Sequence, residues 1–312
     1  MKVVVAGATG AIGRPLVARL RAAGHEVVGL ARTPRGALQL TEAGARPVIA
    51  DVLDRTALLR AVDGIRADAV IHELTAYRLG PPTHYHSPGL RRTNILRTTG
   101  TRHLLDLAKS VGATRFLTQS LVSGYGLRDH GLDPVTEDSP FGRPQGDRAD
   151  DSIEALRLAE QQPWDEPGLD AIALRYGLFY GPGASDLYVR ALKLRLLPVP
   201  AGGTGFCGWL YVDDAAEATV AALERGRGGQ AYNIVDDEPA RWEDVFDALA
   251  AAVGARRPRR IPARLFRIAA PLAAKQMLDM SLRVSNAKAK SELRWYVSRH
   301  SYREGAATLR GR

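Results

Sequence analysis

An α/β fold, a doubly wound parallel sheet with a smaller C-terminal lobe, is predicted by three features of the 312-residue sequence. Short β-branched runs alternate with longer amphipathic stretches through the first half of the chain. The first of these runs feeds directly into a glycine-rich turn that opens a helix. After residue 176, clusters of Gly and Pro break the alternation before it resumes.

The elements follow in order. VVVA at 3–6, HEVVGLA at 25–31, RPVIAD at 46–51, ADAVIHEL at 67–74 and RFLTQS at 115–120 have the near-continuous apolar character of strands covered on both faces. RPLVARLRAAG, RTALLRAVDG and TTGTRHLLDLAKSVG between them are helical patterns closed by glycine. LDAIALRYG at 169–177 is a further strand, and YGPGASD and LPVPAGGTG then interrupt the rhythm. YVDDAAEATVAALERG is a helix with acids in its first turn, AYNIVDD a strand, WEDVFDALAAAVG a helix, and NAKAKSELRW a last helix. The expected division is a nucleotide-binding unit over 1–176, rejoined by 207–236, and a lobe from 177–206 and 237–312. The acidic connection 128–162 is expected to be a mobile lid or surface loop over the site.

Net charge is +9, but its distribution matters more than its sum. Residues 256–312 carry 15 Lys or Arg against Asp279, Glu292 and Glu304, so the rest of the chain is slightly acidic. The densest stretch, ARRPRRIPARLFR at 255–267, has no helix-turn-helix, zinc module or interleaved aromatics, and a solvated face is expected rather than a nucleic-acid footprint. An anionic substrate group or a membrane surface is the alternative. Apolar runs fall far short of the roughly 20 residues of a membrane span, and MKVVVAG has no signal-peptide architecture. A single cysteine, Cys207, excludes an internal disulfide and suits a reducing compartment, so a cytoplasmic protein is expected. Cys207 itself is expected to be a small buried hydrophobe.

VVVAGATGAIGRPLVARL at 3–20 is the most informative stretch. Gly7 permits the tight turn, Gly10 lets the backbone approach a pyrophosphate, and Gly13 allows helix and strand to pack closely. Thr9, Ala11 and Ile12 complete the loop, and the helix start offers free N–H groups to phosphate. An acid ending the second strand would favour NAD; here that strand delivers Arg32, with Arg35 nearby and Arg14 after the last glycine. Arginines fork onto a 2′-phosphate, so NADP(H) is the expected cofactor over NAD(H).

The G-x-x-G-x-x-G spacing resembles the fingerprint of the short-chain dehydrogenase/reductase superfamily, in its extended branch of epimerases, dehydratases and reductases, a Rossmann-like fold. ADAVIHEL is similar to that branch's fourth strand, RYGLFYGPG to its R-P-x-x-x-Y-G-P loop, and WLYVDDAAEATVAALE to its V-x-D-x-A helix. YNIVDDEP resembles the strand that follows. SNAKAKSELRWYVSRHSYREG is similar to its closing S-x-x-K-A-x-x-x-L-G-W-x-P, with Arg294 and Val297 in place of glycine and proline. The resemblance implies that Asp51 and Val52 flank the adenine, that Leu74 and Thr75 line the ribose and nicotinamide, and that Tyr176 lies at the cofactor.

The resembled family takes its proton from a tyrosine whose pKa is lowered by a lysine one turn later. With the family's final acid of Y-x-x-x-K-x-x-x-E set on Glu160, Ser152 stands at the tyrosine position and Leu156 at the lysine position. None of the ten tyrosines has a lysine four residues on. Leu121 replaces the assisting serine, flanked by Ser120 and Ser123. The chain therefore resembles the atypical members that keep the cofactor site without the pair. Three readings follow: an NADP(H)-dependent oxidoreductase of a small carbonyl or alcohol, an isomerase, dehydratase or sugar-nucleotide epimerase, and a non-enzymatic redox sensor. For the first, Ser120, Ser123 and Tyr125 are the candidate catalytic residues, with Tyr77 and Tyr176 as further proton donors. The lobe, which a sensor would not need, favours an enzyme.

Other groups carry weaker signals. His84 and His86 sit in a Pro- and Gly-flanked loop with no completing acid or Cys, so no metal site is expected. His72 is expected to pack, Asp213 and Asp214 to cap their helix, and Asn94 and Thr101 to be polar packing. The expected partner is a small-molecule substrate, with neither nucleic acid nor membrane, and a homodimer is the assembly considered.

Overall fold

The computed structural model describes residues 1–77, 82–203 and 205–311. Thr204, within the 177–206 stretch assigned to the lobe, lies outside the described residues. Seven parallel strands form the central sheet in the order β3-β2-β1-β4-β5-β6-β11. Its strands are β1 (Lys2–Ala6), β2 (Glu26–Ala31), β3 (Arg46–Ile49), β4 (Ala69–His72), β5 (Arg115–Leu121), β6 (Asp170–Tyr176) and β11 (Gln230–Ile234). Between β6 and β11 lie the short strands β7 (Leu178–Tyr180), β8 (Val199–Pro200), β9 (Phe206–Cys207) and β10 (Trp209–Tyr211); β12 (Ala240–Arg241) and β13 (Arg260–Ile261) follow. The strand order reverses between β1 and β4, which opens a crevice at the carboxyl ends of the strands where ligands bind in such sheets.

The helices are α1 (Gly13–Ala22), α2 (Pro34–Glu42), α3 (Arg55–Ala61), α4 (Pro88–Ile95), α5 (Thr101–Val111), α6 (Asp150–Trp164), α7 (Asp186–Lys193), α8 (Val212–Arg225), α9 (Trp242–Ala252), α10 (Ala263–Ala269), α11 (Pro271–Ala274), α12 (Ala287–Leu293) and α13 (Tyr302–Ala307). Alternate residues of β1 and β4 enter two cores. Val3, Val5, Ala69 and Ile71 pack with α1 and α8. Val4, Ala6 and Val70 pack with α3 and α5. The strands therefore carry apolar side chains on both faces, as their sequences predict. Local chemistry fixes the helix ends: Thr33 Oγ1 caps α2 through the Gly36 amide at 3.2 Å, Asp54 caps α3 through the Ala57 amide, and Gly112 ends α5 in the left-handed region at φ +77°.

A separate core centred on Trp209, Trp242 and Phe246 holds the C-terminal lobe, its two indoles edge-to-face at 5.0 Å. α12 and Trp295 instead join the α1–α8 core, so this part of the 237–312 stretch packs on the sheet side. Arg294 keeps the left-handed conformation, φ +49°, that the glycine of the resembled motif serves.

Two expectations are corrected here. The connection 128–162 is not loop throughout, because Asp150–Trp164 forms α6 and buries Ile153, Ala155, Leu156, Ala159 and Glu160. Asp214 does not cap α8. It is buried, and its Oδ2 accepts from the amides of Ser298 at 3.0 Å and Arg299 at 3.2 Å, tying the C-terminal tail down. Its burial makes it a tertiary anchor, a role that its first-turn position disguises. Among the described residues, no helix is long and apolar enough to cross a membrane and no group of His, Cys, Asp or Glu could hold a metal. Cys207 is buried.

Candidate active site

The glycine turn lies at the end of β1, beside the chain reversal. Gly7 has φ +94°, and a Cβ built on it would sit 2.5 Å from the carbonyl oxygen of Glu73. A Cβ on Gly13 would collide with the Gly7 carbonyl, so α1 starts tight against the strand. Gly10 differs: a Cβ there meets only the Gly7 oxygen at 3.0 Å and otherwise open space. The turn is thus packed underneath and bare above at Gly10, its own amides at Gly10 and Arg14 bonded to the Gly7 and Gly10 carbonyls at 2.8 and 3.3 Å. Thr9, Ala11 and Ile12 form the rest of the rim. This cradle fits a dinucleotide pyrophosphate.

The cationic candidates fit as well. Arg14, Arg32 and Arg35 are exposed, and none makes an ion pair among the described residues. They differ in this from Arg92, whose Nη2 lies 3.4 Å from Asp51 Oδ2. Asp51 also accepts from the Leu53 amide at 3.0 Å, and Val52 beside it is buried. Beyond β4, the Leu74 amide donates to His72 Nδ1 at 3.2 Å and the Leu74 carbonyl accepts from Gln119 Nε2 at 2.8 Å; Thr75 is exposed. His72 packs, its Nε2 3.2 Å from the Leu96 carbonyl, and burial pushes its pKa down to about 4.

Ser152, set at the tyrosine position by the resemblance, is half-buried and accepts from Asn94 Nδ2 at 3.2 Å. Leu156, set at the lysine position, is buried. Glu160 ends the pattern in a buried pair with Arg175, whose Nη2 lies 2.7 Å from Glu160 Oε2. The same guanidinium donates from Nη1 to the Tyr125 hydroxyl at 2.9 Å and stacks 3.8 Å over Phe141.

That geometry bears on the candidate donors. Tyr125 is buried, and its hydroxyl donates to Asn233 Oδ1 at 2.7 Å while accepting from Arg175. Burial pushes its phenol up to about 12 despite the guanidinium. The structure therefore turns Tyr125 into the scaffold instead of toward the crevice, against the sequence expectation. Ser120 is fully buried at the end of β5 with no hydrogen-bond partner for its hydroxyl among the described residues, and Ser123 is half-buried. Tyr77 is half-buried, and His84 and His86 are exposed. Thr101 donates to the Arg97 carbonyl at 2.7 Å, four residues before α5 begins.

One residue was not singled out by the sequence. Glu73, directly after β4, is buried, with Oε2 unpartnered. Its Oε1 lies 2.9 Å from the hydroxyl of Tyr176, itself the buried last residue of β6 rather than a loop residue. Tyr176 Oη lies 2.7 Å from Thr219 Oγ1, which donates to the Ala215 carbonyl at 2.8 Å. The Tyr176 hydroxyl is the donor to Glu73 Oε1. Burial, partly opposed by the Tyr176 hydrogen bond, pushes Glu73 up to about 8. A signal existed in VIHEL, where an acid follows an apolar run, but nothing local marks it as buried.

The native state therefore holds a proton on Glu73 that the unfolded chain releases above pH about 4.5. Stability falls as pH rises from that value toward about 8, because the unfolded state binds fewer protons. In thermal unfolding, wild type should lose ground to Glu73→Gln over this window; parallel profiles would contradict a protonated Glu73.

A parallel sheet with a glycine turn at the point where its strand order reverses defines the dinucleotide-binding class of α/β fold. Residues 3–235 match the NAD dependent epimerase/dehydratase family. The chain belongs to that family. It is 37% identical, over 98% of its length and 99% of the relative, to a 3-diazoavenalumate denitrifying reductase of Streptomyces sp. It is 29% identical, over 82% of its length and 77% of the relative, to the 2-alkyl-3-oxoalkanoate reductase of Stenotrophomonas maltophilia. Among solved structures, the UDP-glucose 4-epimerase of Thermotoga maritima has the same fold, with a TM-score of 0.79 at 21% identity over 99% of this chain and 97% of that one. A human epimerase family protein solved with NADPH gives 0.75 at 21% identity, over 99% of both chains.

Proposed function

We propose that this protein is an NADP(H)-dependent reductase of a small organic acceptor bound between the sheet's carboxyl edge and the C-terminal lobe. The observation that carries the cofactor choice is the set Arg14, Arg32 and Arg35, exposed and unpaired around a glycine turn that is open at Gly10. Arg14, Arg32 and Arg35 would face the 2′-phosphate, Asp51 and Val52 the adenine, and Leu74 and Thr75 the ribose and nicotinamide. When bound, the cofactor supplies hydride; the chain orients the acceptor and excludes water.

A carbonyl is the acceptor the sequence suggests, and the likeness to the oxoalkanoate reductase supports it. The vacant pair and the likeness to the denitrifying reductase support a second acceptor, an aryl diazo group. There hydride takes the place of dinitrogen, which departs as gas, so no alkoxide has to be protonated. Epimerase or dehydratase chemistry begins with oxidation by a tyrosinate, and Ser152 and Leu156 cannot provide one. A bare redox sensor has no use for the separately cored lobe.

Titration of nucleotide fluorescence tests the cofactor. NADPH should bind more tightly than NADH, and Arg32→Ala with Arg35→Ala should lower NADPH affinity by about 10- to 100-fold through lost charge-assisted hydrogen bonds. NADH affinity should hardly move. Equal loss for both nucleotides would show the arginines to be uninvolved with the 2′-phosphate. Turnover is tested by NADPH oxidation over carbonyl and diazo-arene panels; binding without turnover on either would favour the sensor.

A further inference from the structure

Resting on the reading of a nicotinamide site, we infer that Glu73 is a redox-linked proton site, neutral beside the reduced cofactor and ionised beside the oxidised one. The placement is the first support. A pyrophosphate held on the Gly10 side with adenosine toward Arg32, beyond β2, would send the nicotinamide half the other way, toward the carboxyl ends of β4 to β6. Glu73 is the first residue past β4, with its carbonyl against Gly7, and its Tyr176 partner ends β6.

The second support is the isolation of the carboxyl. β6 presents Tyr176 to it and α8 presents Thr219. His72, its neighbour on β4, turns to the Leu96 carbonyl; Asp214, five residues before Thr219, turns to the tail amides. Arg14 on α1 is exposed, and Arg19 pairs with Glu217. Among the described residues no cation pairs with the carboxyl, which is why it keeps its proton. Oxidation of the cofactor brings a positive ring to this end of the site. In a poorly solvated setting that charge favours the carboxylate at a distance of several ångströms.

The exchange balances. On binding of the oxidised nucleotide, the neutral carboxyl becomes a carboxylate and one proton leaves to solvent. During carbonyl reduction, hydride would go from NADPH to carbon and the Glu73 proton to the product oxygen. The products are the alcohol, NADP⁺ and an ionised Glu73, which solvent reprotonates. With a diazo acceptor the same proton is released to solvent.

Nucleotide binding without any acceptor tests this. As pH rises toward about 8, the affinity of wild type for NADP⁺ should rise relative to that for NADPH, approaching tenfold per pH unit. The 2′-phosphate titrates equally in both nucleotides and cancels. Calorimetry in buffers of different ionisation heat should register more proton release with NADP⁺ than with NADPH. Glu73→Gln, which retains an acceptor toward Tyr176, should make the two pH profiles parallel and abolish that difference.

A readout in wild type avoids dependence on the variant's folding: the infrared absorption of protonated carboxyls, to which buried Asp236 also contributes, should lose one component when NADP⁺, but not NADPH, is added. Parallel profiles in wild type, an unchanged carboxyl absorption, or the excess proton release retained in Glu73→Gln would each overturn the inference while leaving the cofactor reading intact. Failure to bind either nucleotide would instead overturn the cofactor reading, and this inference with it.

Discussion

Glu160→Ala is expected to cost about 3–5 kcal/mol of stability, measured by chemical denaturation, because it strands a buried guanidinium. The side chains of Arg175 and Glu160 are 5% and 2% exposed, and Arg175 Nε and Nη2 both engage the carboxylate, at 3.0 and 2.7 Å. Removing Arg175's counter-ion also loosens what the guanidinium holds: the Tyr125 hydroxyl, the Phe141 ring and, through Tyr125, Asn233 at the edge of the sheet. The double change Glu160→Leu with Arg175→Met should recover most of the loss, since a well-packed apolar pair of similar volume replaces a buried ion pair at little cost. A loss below about 1 kcal/mol for the single variant would mean that Arg175 finds water, and that the network is a surface feature.

Gly7→Ala should be the most damaging single change at the cofactor turn. Two penalties combine there: a left-handed backbone at φ +94° and a Cβ 2.5 Å from the Glu73 carbonyl oxygen. Together they should cost about 3 kcal/mol or more in stability. They should also reduce NADPH affinity about a hundredfold, as displaced amides lose their charge-assisted bonds to phosphate. Gly24→Ala separates the two penalties, since Gly24 has φ +81° with nothing within 4 Å of its Cβ position. It should cost about 1–2 kcal/mol and leave nucleotide binding unchanged. If the two variants behave alike, close packing under the turn does not matter and the cradle has been misread.

Much of the fold was legible because its signals are local. A strand buried on both faces must be apolar throughout, and a glycine that turns the chain or lets a carbonyl approach cannot be replaced cheaply. β1 to β6 and the glycine turn could therefore be read from residues 1–176 alone. α2 and α6 were harder: PRGALQLTE is short and mixed in character, and the acids at the start of α6 blend with the acidic loop before it. Asp214 looked like a helix cap because its position on α8 is that of one; its bonds to Ser298 and Arg299 join residues more than 80 positions apart.

The sequence by itself determined the parallel sheet and the glycine turn that opens its first helix, since each depends on residue type at fixed spacing. Only the tertiary structure decided which polar groups face one another. It withdrew Tyr125 into a bond with Arg175, put Asn94 against Ser152, and enclosed Glu73 with Tyr176 and Thr219 from three separate elements. Whether a carboxyl is charged depends on its distance from water and from cations, and chain folding alone sets those distances.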